Sequence, residues 1–252
     1  MPAMEANLRI GVYGLGRFGS FWAKELATHG FTVVGYGRSA TSAPDGVRLG
    51  SEDEVLTCDV LFYCVSISAF SAVLDRTAGR IGEHTLVMDT CSVKLYPAKL
   101  MREKLPKQVQ CIATHPMFGP DSGKNGVAGL PFVICPVNCE QKVLQDWVSE
   151  FKRWDLHVLS MSCEQHDREA AWSQGITHFI GRTLSELSLG ETELATTGYR
   201  TLMTVVEQTC NDPLQLFYDL QRYNPYARQM RMGLKGALDT VMEALKKQED
   251  GR

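Results

Sequence analysis

The chain has 252 residues, 44% of them hydrophobic and 22% charged, and 26 Lys and Arg stand against 29 Asp and Glu for a formal net charge of -3. That length buries a full core in one large domain or two modest ones. So even a charge balance argues against nucleic acid or an anionic membrane as the main partner, and no apolar run approaches the roughly 18 residues of a membrane span.

The first part alternates strand-like and helix-like segments. LRIGVYG reads as a strand, FGSFWAKELATHG as a helix closed by Gly30, and FTVVGYG as a second strand. DVLFYCVS, HTLVMDT and QCIATH follow as branched, apolar runs of strand length, with LPFVICPV as a further strand and LQDWVSEFKRW as a helix. This order is that of a parallel sheet covered on both faces, the α/β class. From about Cys163 the texture is helical, through EQHDREAAWSQGITHFIGRTLSELSLG to the tail. The expected organisation is a Rossmann-type dinucleotide-binding domain over 1–161 and an all-helical domain over 162–252. The 8 cysteines include no CxxC pair and no zinc spacing. No metal is expected, and Cys64, Cys111 and Cys135, inside apolar runs, read as buried thiols of a reducing compartment.

GLGRFG places Gly14, Gly16 and Gly19 between a strand and a helix. In that context G-x-G-x-x-G is a dinucleotide loop. Gly14 allows the turn, Gly16 lets a pyrophosphate approach, and Gly19 lets strand and helix pack closely. Arg17 and Phe18 lie inside the loop and are counted with the cofactor site. An NAD site would end the second strand in Asp or Glu. Here Gly37, Arg38 and Ser39 stand instead, with Thr41 behind. Arg38 can pair with a 2′-phosphate and Ser39 can donate to it, so the expected cofactor is NADP. The alternative is that Arg38 is a solvated loop cation and NAD is held another way.

Ligands of open α/β sheets bind beyond the carboxyl ends of the strands. Two such ends carry suggestive residues, 89-DTCSVK-94 and 115-HPMFGPDSGK-124. His115 can take the proton of a substrate hydroxyl while hydride leaves the same carbon, and Ser92 can hold that hydroxyl. Lys94, Ser122 and Lys124 are donors suited to a carboxylate. The bland readings are a packing histidine, a solvated Lys94 and an Asp121 that caps a turn. In the helical part, His166, Ala170, Gln174, His178 and Arg182 recur every fourth residue and so share one face of a continuous helix. Gln174, His178 and Arg182 are expected to face a substrate across a domain cleft, against the alternative of a solvated face.

These motifs together resemble the prephenate/arogenate dehydrogenases of tyrosine biosynthesis over nearly the whole chain. The carriers are GLGRFG, SVK, THPMFGPDSGKNG with LPFV, MSCEQHD with SQGITH and GR, and GYRTLMTVVEQT with LFYDLQRYN. SGKNG…LPFV and GYRTL look most like the plant arogenate dehydrogenase branch, which usually takes NADP. The resemblance implies oxidation of a ring hydroxyl, loss of CO2 and an aromatic product, tyrosine from L-arogenate. It implies His115 as general base and Ser92 as its helper. Asp121, Gln174 and His178 would lie near the substrate, and the helical domain would form a homodimer. Where prephenate-specific members carry an Arg, this chain has Glu207. The ring carboxylate is then left to Arg182, Arg200 or Lys124, and Asp212 is the candidate acid for the ammonium of arogenate. Val127 replaces an expected Trp, and Pro225 is expected to break a helix. The competing readings are prephenate dehydrogenase, a β-hydroxyacid-type dehydrogenase, and a non-catalytic NADP-binding redox sensor. The β-hydroxyacid type would need a Lys that this region lacks. The N-terminus shows no signal or transit pattern, so the expected location is the cytoplasm, or a plastid stroma if a transit segment has been removed.

Overall fold

The computed structural model describes residues 8–250. In chain order the first unit runs β1 Arg9–Tyr13, α1 Arg17–Thr28, β2 Thr32–Tyr36, β3 Val47–Leu49, α2 Glu52–Leu56, β4 Val60–Tyr63, α3 Ile67–Thr77 and β5 Leu86–Asp89. It continues with α4 Leu95–Lys104, β6 Cys111–Pro116, β7 Pro131–Asn138, α5 Gln141–Arg153 and β8 His157–Ser160. One sheet holds these strands in the order β3-β2-β1-β4-β5-β6-β7-β8. Every ladder is parallel except β6–β7, where His115 lies opposite Val133.

The strands are apolar along their whole length because both faces are covered. Within β4, Leu61 and Tyr63 join a core with Phe70, Leu74 and Met101 on one face. Phe62 joins Trp22, Phe132, Trp147 and Phe151 on the other. Trp22 is fully buried in α1, with ring centroids 5.6 Å from Phe62 and 5.7 Å from both Phe132 and Trp154. Truncating such a side chain to Ala costs about 3–5 kcal/mol, so this cluster anchors the helix that opens at the glycine loop. The short β3 and α2 carry no apolar period to announce them. α2 is held by Val55 and Leu56, both fully buried in the core, and β3 by its ladder to β2, with Arg48 pairing Glu54 between the two.

The second unit contains α7 and the helices after it. The helix α6, Cys163–Ala170, leads into a π turn at Ala171–Gly175 and then into α7, Ile176–Ser185. Next come α8 Thr197–Asn211, α9 Leu214–Tyr223 and α10 Ala227–Asp250. α7 and α8 pack closely at Gly181, where a Cβ would lie 2.1 Å from Thr209 Oγ1. The expected break at Pro225 falls between α9 and α10. Beside it the buried Asn224 donates from Nδ2 to the Asp167 carbonyl at 2.8 Å and accepts from Tyr226 N at 2.9 Å.

The two compact units meet in sequence between His166 and Asp167, inside α6, whereas the change of texture put the division between 161 and 162. The reason is local: α6 runs straight through the point where the apolar period changes, and its first residues pack with the sheet. One expectation is corrected. The segment 166–184 is not a single α-helix, because the π turn interrupts it, so residues four apart on either side of the turn do not share a face.

Candidate active site

β1 and α1 are joined by Gly14–Gly16. Gly14 has φ 112°, a left-handed backbone that glycine adopts without strain, and a Cβ there would sit 2.4 Å from the Cys64 carbonyl oxygen. A Cβ on Gly19 would sit 1.8 Å from the Gly14 carbonyl oxygen. These two glycines are needed for packing. Gly16 is different, since a Cβ there would meet nothing within 4 Å. The space beside it is open, and Gly16 caps α1 without a side-chain hydrogen bond. The first-turn N–H groups of a helix so capped suit the phosphates of a dinucleotide. Phe18 lies with the aromatic cluster, stacked on Trp22 at 6.3 Å.

After β2, the Ala40 N–H bonds to the Gly37 carbonyl at 3.0 Å and closes a turn around Arg38 and Ser39, both exposed, as is Thr41. Arg38 makes no ion pair among the described residues. The first acid after β2 is Asp45, which faces Lys24 at 3.7 Å.

The ends of β5 and β6 are neighbours, with Asp89 opposite Ala113. The half-buried Ser92 follows β5, and His115, at 1% exposure, is the next-to-last residue of β6. Both therefore lie at the same edge of the sheet. Lys94 between them is not solvated, and the carboxylate it meets is the protein's own. It is fully buried, and its Nζ donates at 2.5 Å to Asp89 Oδ2 and at 2.5 Å to the Thr114 carbonyl. Burial pushes the Asp89 carboxyl above its ordinary range, with Lys94 pulling the other way. The sequence showed SVK as a donor at a helix start. The ion pair needed tertiary structure to find, because Asp89 reads simply as the end of a strand.

His115 Nδ1 lies 2.8 Å from Nε2 of His166, and both rings are buried. In any such bond one nitrogen donates and the other accepts. The sequence presents His166 in the four-residue repeat and in MSCEQHD, without a role of its own. The signal that could have found it is the HD pair in MSCEQHD.

Past β6 the chain turns at Gly119–Ser122. Ser122 Oγ accepts from Gly119 N at 3.0 Å, so this hydroxyl serves its own turn. Asp121 pairs with Arg17 of the glycine loop at 2.6 Å. A residue expected at the substrate and one expected at the cofactor are thus brought to each other. Lys124 is exposed, and Val127 is buried at 3%.

In the second unit, His178 and Arg182 are four apart in α7 and share a face. Arg182 donates to the Asp212 main-chain carbonyl at 2.6 Å, and His178 Nε2 lies 3.9 Å from Asp212 Oδ2. Three buried polar atoms here have no partner: Gln174 Oε1, His178 Nδ1 and Arg182 Nε. Buried polar groups in folded proteins are nearly always satisfied, so these three atoms are open to a polar partner. Burial lowers the pKa of His178, Asp212 raises it and Arg182 lowers it, with a net fall.

Residues 22–154 match the family model described as the nucleotide-binding domain of prephenate dehydrogenase. Over 98% of its length the chain is 38% identical to "Arogenate dehydrogenase 1, chloroplastic" of Arabidopsis thaliana, and over 97% it is 37% identical to "Arogenate dehydrogenase 2, chloroplastic" of the same plant. The chain belongs to the prephenate/arogenate dehydrogenase family. It spans 40% of the first relative's length and 71% of the second's. Residues 183–252 also match a model described as TYRAAT1-like, C-terminal domain. The fold is that of the family's solved structures. One is prephenate dehydrogenase from A. aeolicus in complex with hydroxyphenyl propionate and NAD+, with TM-score 0.75 at 16% identity, covering 96% of this chain and 92% of that one. The first unit is thus the nucleotide-binding domain of a dehydrogenase family. No helix among the described residues is long and apolar enough to cross a membrane.

Proposed function

We propose that the protein oxidises L-arogenate with NADP as acceptor, releasing L-tyrosine and CO2, with His115 as the general base. The observation that carries this reading is the buried His115–His166 pair at the carboxyl edge of the sheet, in a chain similar to two arogenate dehydrogenases.

A bound nicotinamide would supply the acceptor for hydride from the ring carbon that bears the hydroxyl. Ser92 holds that hydroxyl, and His115 Nε2 takes its proton. This requires a neutral His115 with its hydrogen on Nδ1, donated to His166 Nε2. His166 therefore selects the tautomer, holds the ring in place and stabilises the cation that forms. The bond to the ring carboxylate then breaks, CO2 leaves, and its electron pair enters the ring to make it aromatic. The phenolate takes the proton back from His115, which returns to its starting state.

The glycine loop suits the pyrophosphate, since the space beside Gly16 is open. Arg38 and Ser39, exposed where an NAD site would hold an acid, favour the 2′-phosphate of NADP. In the second unit, Arg182 Nε, and His178 Nδ1 where it carries the ring proton, can donate to the substrate's carboxylates, and Gln174 Oε1 can accept from its ammonium or hydroxyl. Asp212 is the acid for its ammonium group, which prephenate lacks. His178 serves there as a neutral partner, because its pKa is lowered.

The assembly we propose is a homodimer. Leu238, Val241, Met242 and Leu245 of α10 are between 54% and 61% exposed. Their spacing is that of one apolar face of a helix, and exposed apolar stripes of this kind mark protein interfaces.

The test is a steady-state rate with arogenate and with prephenate, each with NADP and with NAD. Turnover mainly with arogenate and NADP is expected. A preference for prephenate would remove the role given to Asp212. No turnover with any pair, from folded protein that binds NADP, would leave a sensor.

A further inference from the structure

Lys94 and Asp89 are both fully buried. A buried ion pair is a poor way to gain stability, since desolvating the two charges offsets their attraction, and a well-packed apolar pair often does as well. This pair stands where geometry matters more than stability. Asp89 ends β5, and its Oδ2 also accepts the Cys91 N–H at 2.9 Å, which fixes the backbone leading to Ser92. From the same point Lys94 Nζ reaches the Thr114 carbonyl, the peptide that joins directly to His115. Thr114 Oγ1 returns a bond to the Asp89 carbonyl at 2.5 Å. The network thus runs from the Ser92 loop through one ammonium to the backbone of His115, in both directions between two strand ends.

We propose that Lys94 is a positioning residue for the reaction: its buried ammonium locks the end of β5 to the end of β6 and so sets the distance between Ser92 and His115. It touches neither substrate nor acceptor. The inference rests on His115 being the base. Three of the ammonium's hydrogens are available to define a direction, and two are spent on these acceptors. A hydrophobic residue of equal length would fill the space without fixing the relative height of the two strands.

The test pairs Lys94→Met with Asp89→Asn, which removes both charges while keeping volume and an acceptor for Cys91 N. The double variant is expected to melt close to the parent and to bind NADPH with unchanged affinity, read by nucleotide fluorescence. Its kcat is expected to fall by up to about a hundredfold, as displacements near 1 Å in an active site do, with the KM for arogenate little changed. Thr114→Val, a near-isosteric change that cuts only the returning bond, is expected to lower kcat in the same sense by less, and decides the matter if the double variant does not fold. Parental kcat in a folded double variant, or in Thr114→Val alone, overturns the proposal. A kcat loss that comes with equally weakened NADPH binding also overturns it, since that is general damage. His115→Gln is measured beside them: parental kcat there would sink the base assignment whatever Lys94 does.

Discussion

The two units differ in what their candidate site residues meet, although each leaves some buried polar atoms unpartnered, Trp22 Nε1 and Asp89 Oδ1 among them in the first. In the first, Lys94 bonds Asp89 Oδ2 and the Thr114 carbonyl, and His115 meets His166. In the second, Gln174 Oε1, His178 Nδ1 and Arg182 Nε are buried with no partner. Apolar surface divides them more sharply, for among the described residues all the exposed large hydrophobic side chains but Leu49 lie in the second unit. Paired groups at the strand ends can hold chemistry at fixed geometry. We propose that the open atoms on α7 and the bare face of α10 receive partners, a polar ligand at the first and a second helix at the other.

The comparison breaks first at His115. His115→Gln is expected to lower kcat by about a hundredfold to ten-thousandfold, the usual worth of a general base, with NADPH binding retained in a fluorescence titration. Equal losses in binding and turnover would make His115 a packing residue. Arg38→Ala sharpens the same unit at its other end. It is expected to raise the KM for NADP about tenfold to a hundredfold, the worth of a hydrogen bond between charged groups, and to leave that for NAD nearly unchanged. An equal rise for both cofactors would return Arg38 to the solvent.

For the second unit, Leu238→Asp with Met242→Asp places charge in the middle of the α10 stripe. Sedimentation velocity is expected to turn a dimer into a monomer. A parent that is already monomeric would remove the dimer, and an unchanged dimer in the variant would move the interface elsewhere. The smallest expected effect is on stability against pH. The folded pKa of His178 is depressed below 6.5 mainly by burial, so its contribution to stability is whole above that value. The contribution is lost as pH falls from there toward the folded pKa, because the unfolded chain binds the proton more readily. His178→Gln should therefore flatten the fall in Tm between pH 7 and pH 5.5. A parallel fall in parent and variant would assign the acid sensitivity to other groups.

Much of this protein was legible before any coordinates. Apolar runs of strand length separated by helical ones led to a parallel sheet, since only strands covered on both faces are apolar throughout. The break at Pro225 is local, as proline lacks the N–H a helix needs. Gly14, Gly16 and Gly19 followed from one strand–loop–helix context, and the structure distinguishes them: two are held by packing, while Gly16 has open space.

What sequence alone determined was therefore the order of elements, the glycine loop and the residue types at the strand ends, because each depends on neighbours within a few positions. Tertiary structure alone decided the partners. Lys94 looked like a donor to solvent or substrate until Asp89 and Thr114 closed around it. Asp121 found Arg17 across 104 positions and His115 found His166 across 51, distances in sequence over which no periodicity carries information. The π turn made the last such decision, because a single change of helical pitch at Ala171–Gly175 breaks the four-residue repeat that had seemed to join His166 with His178.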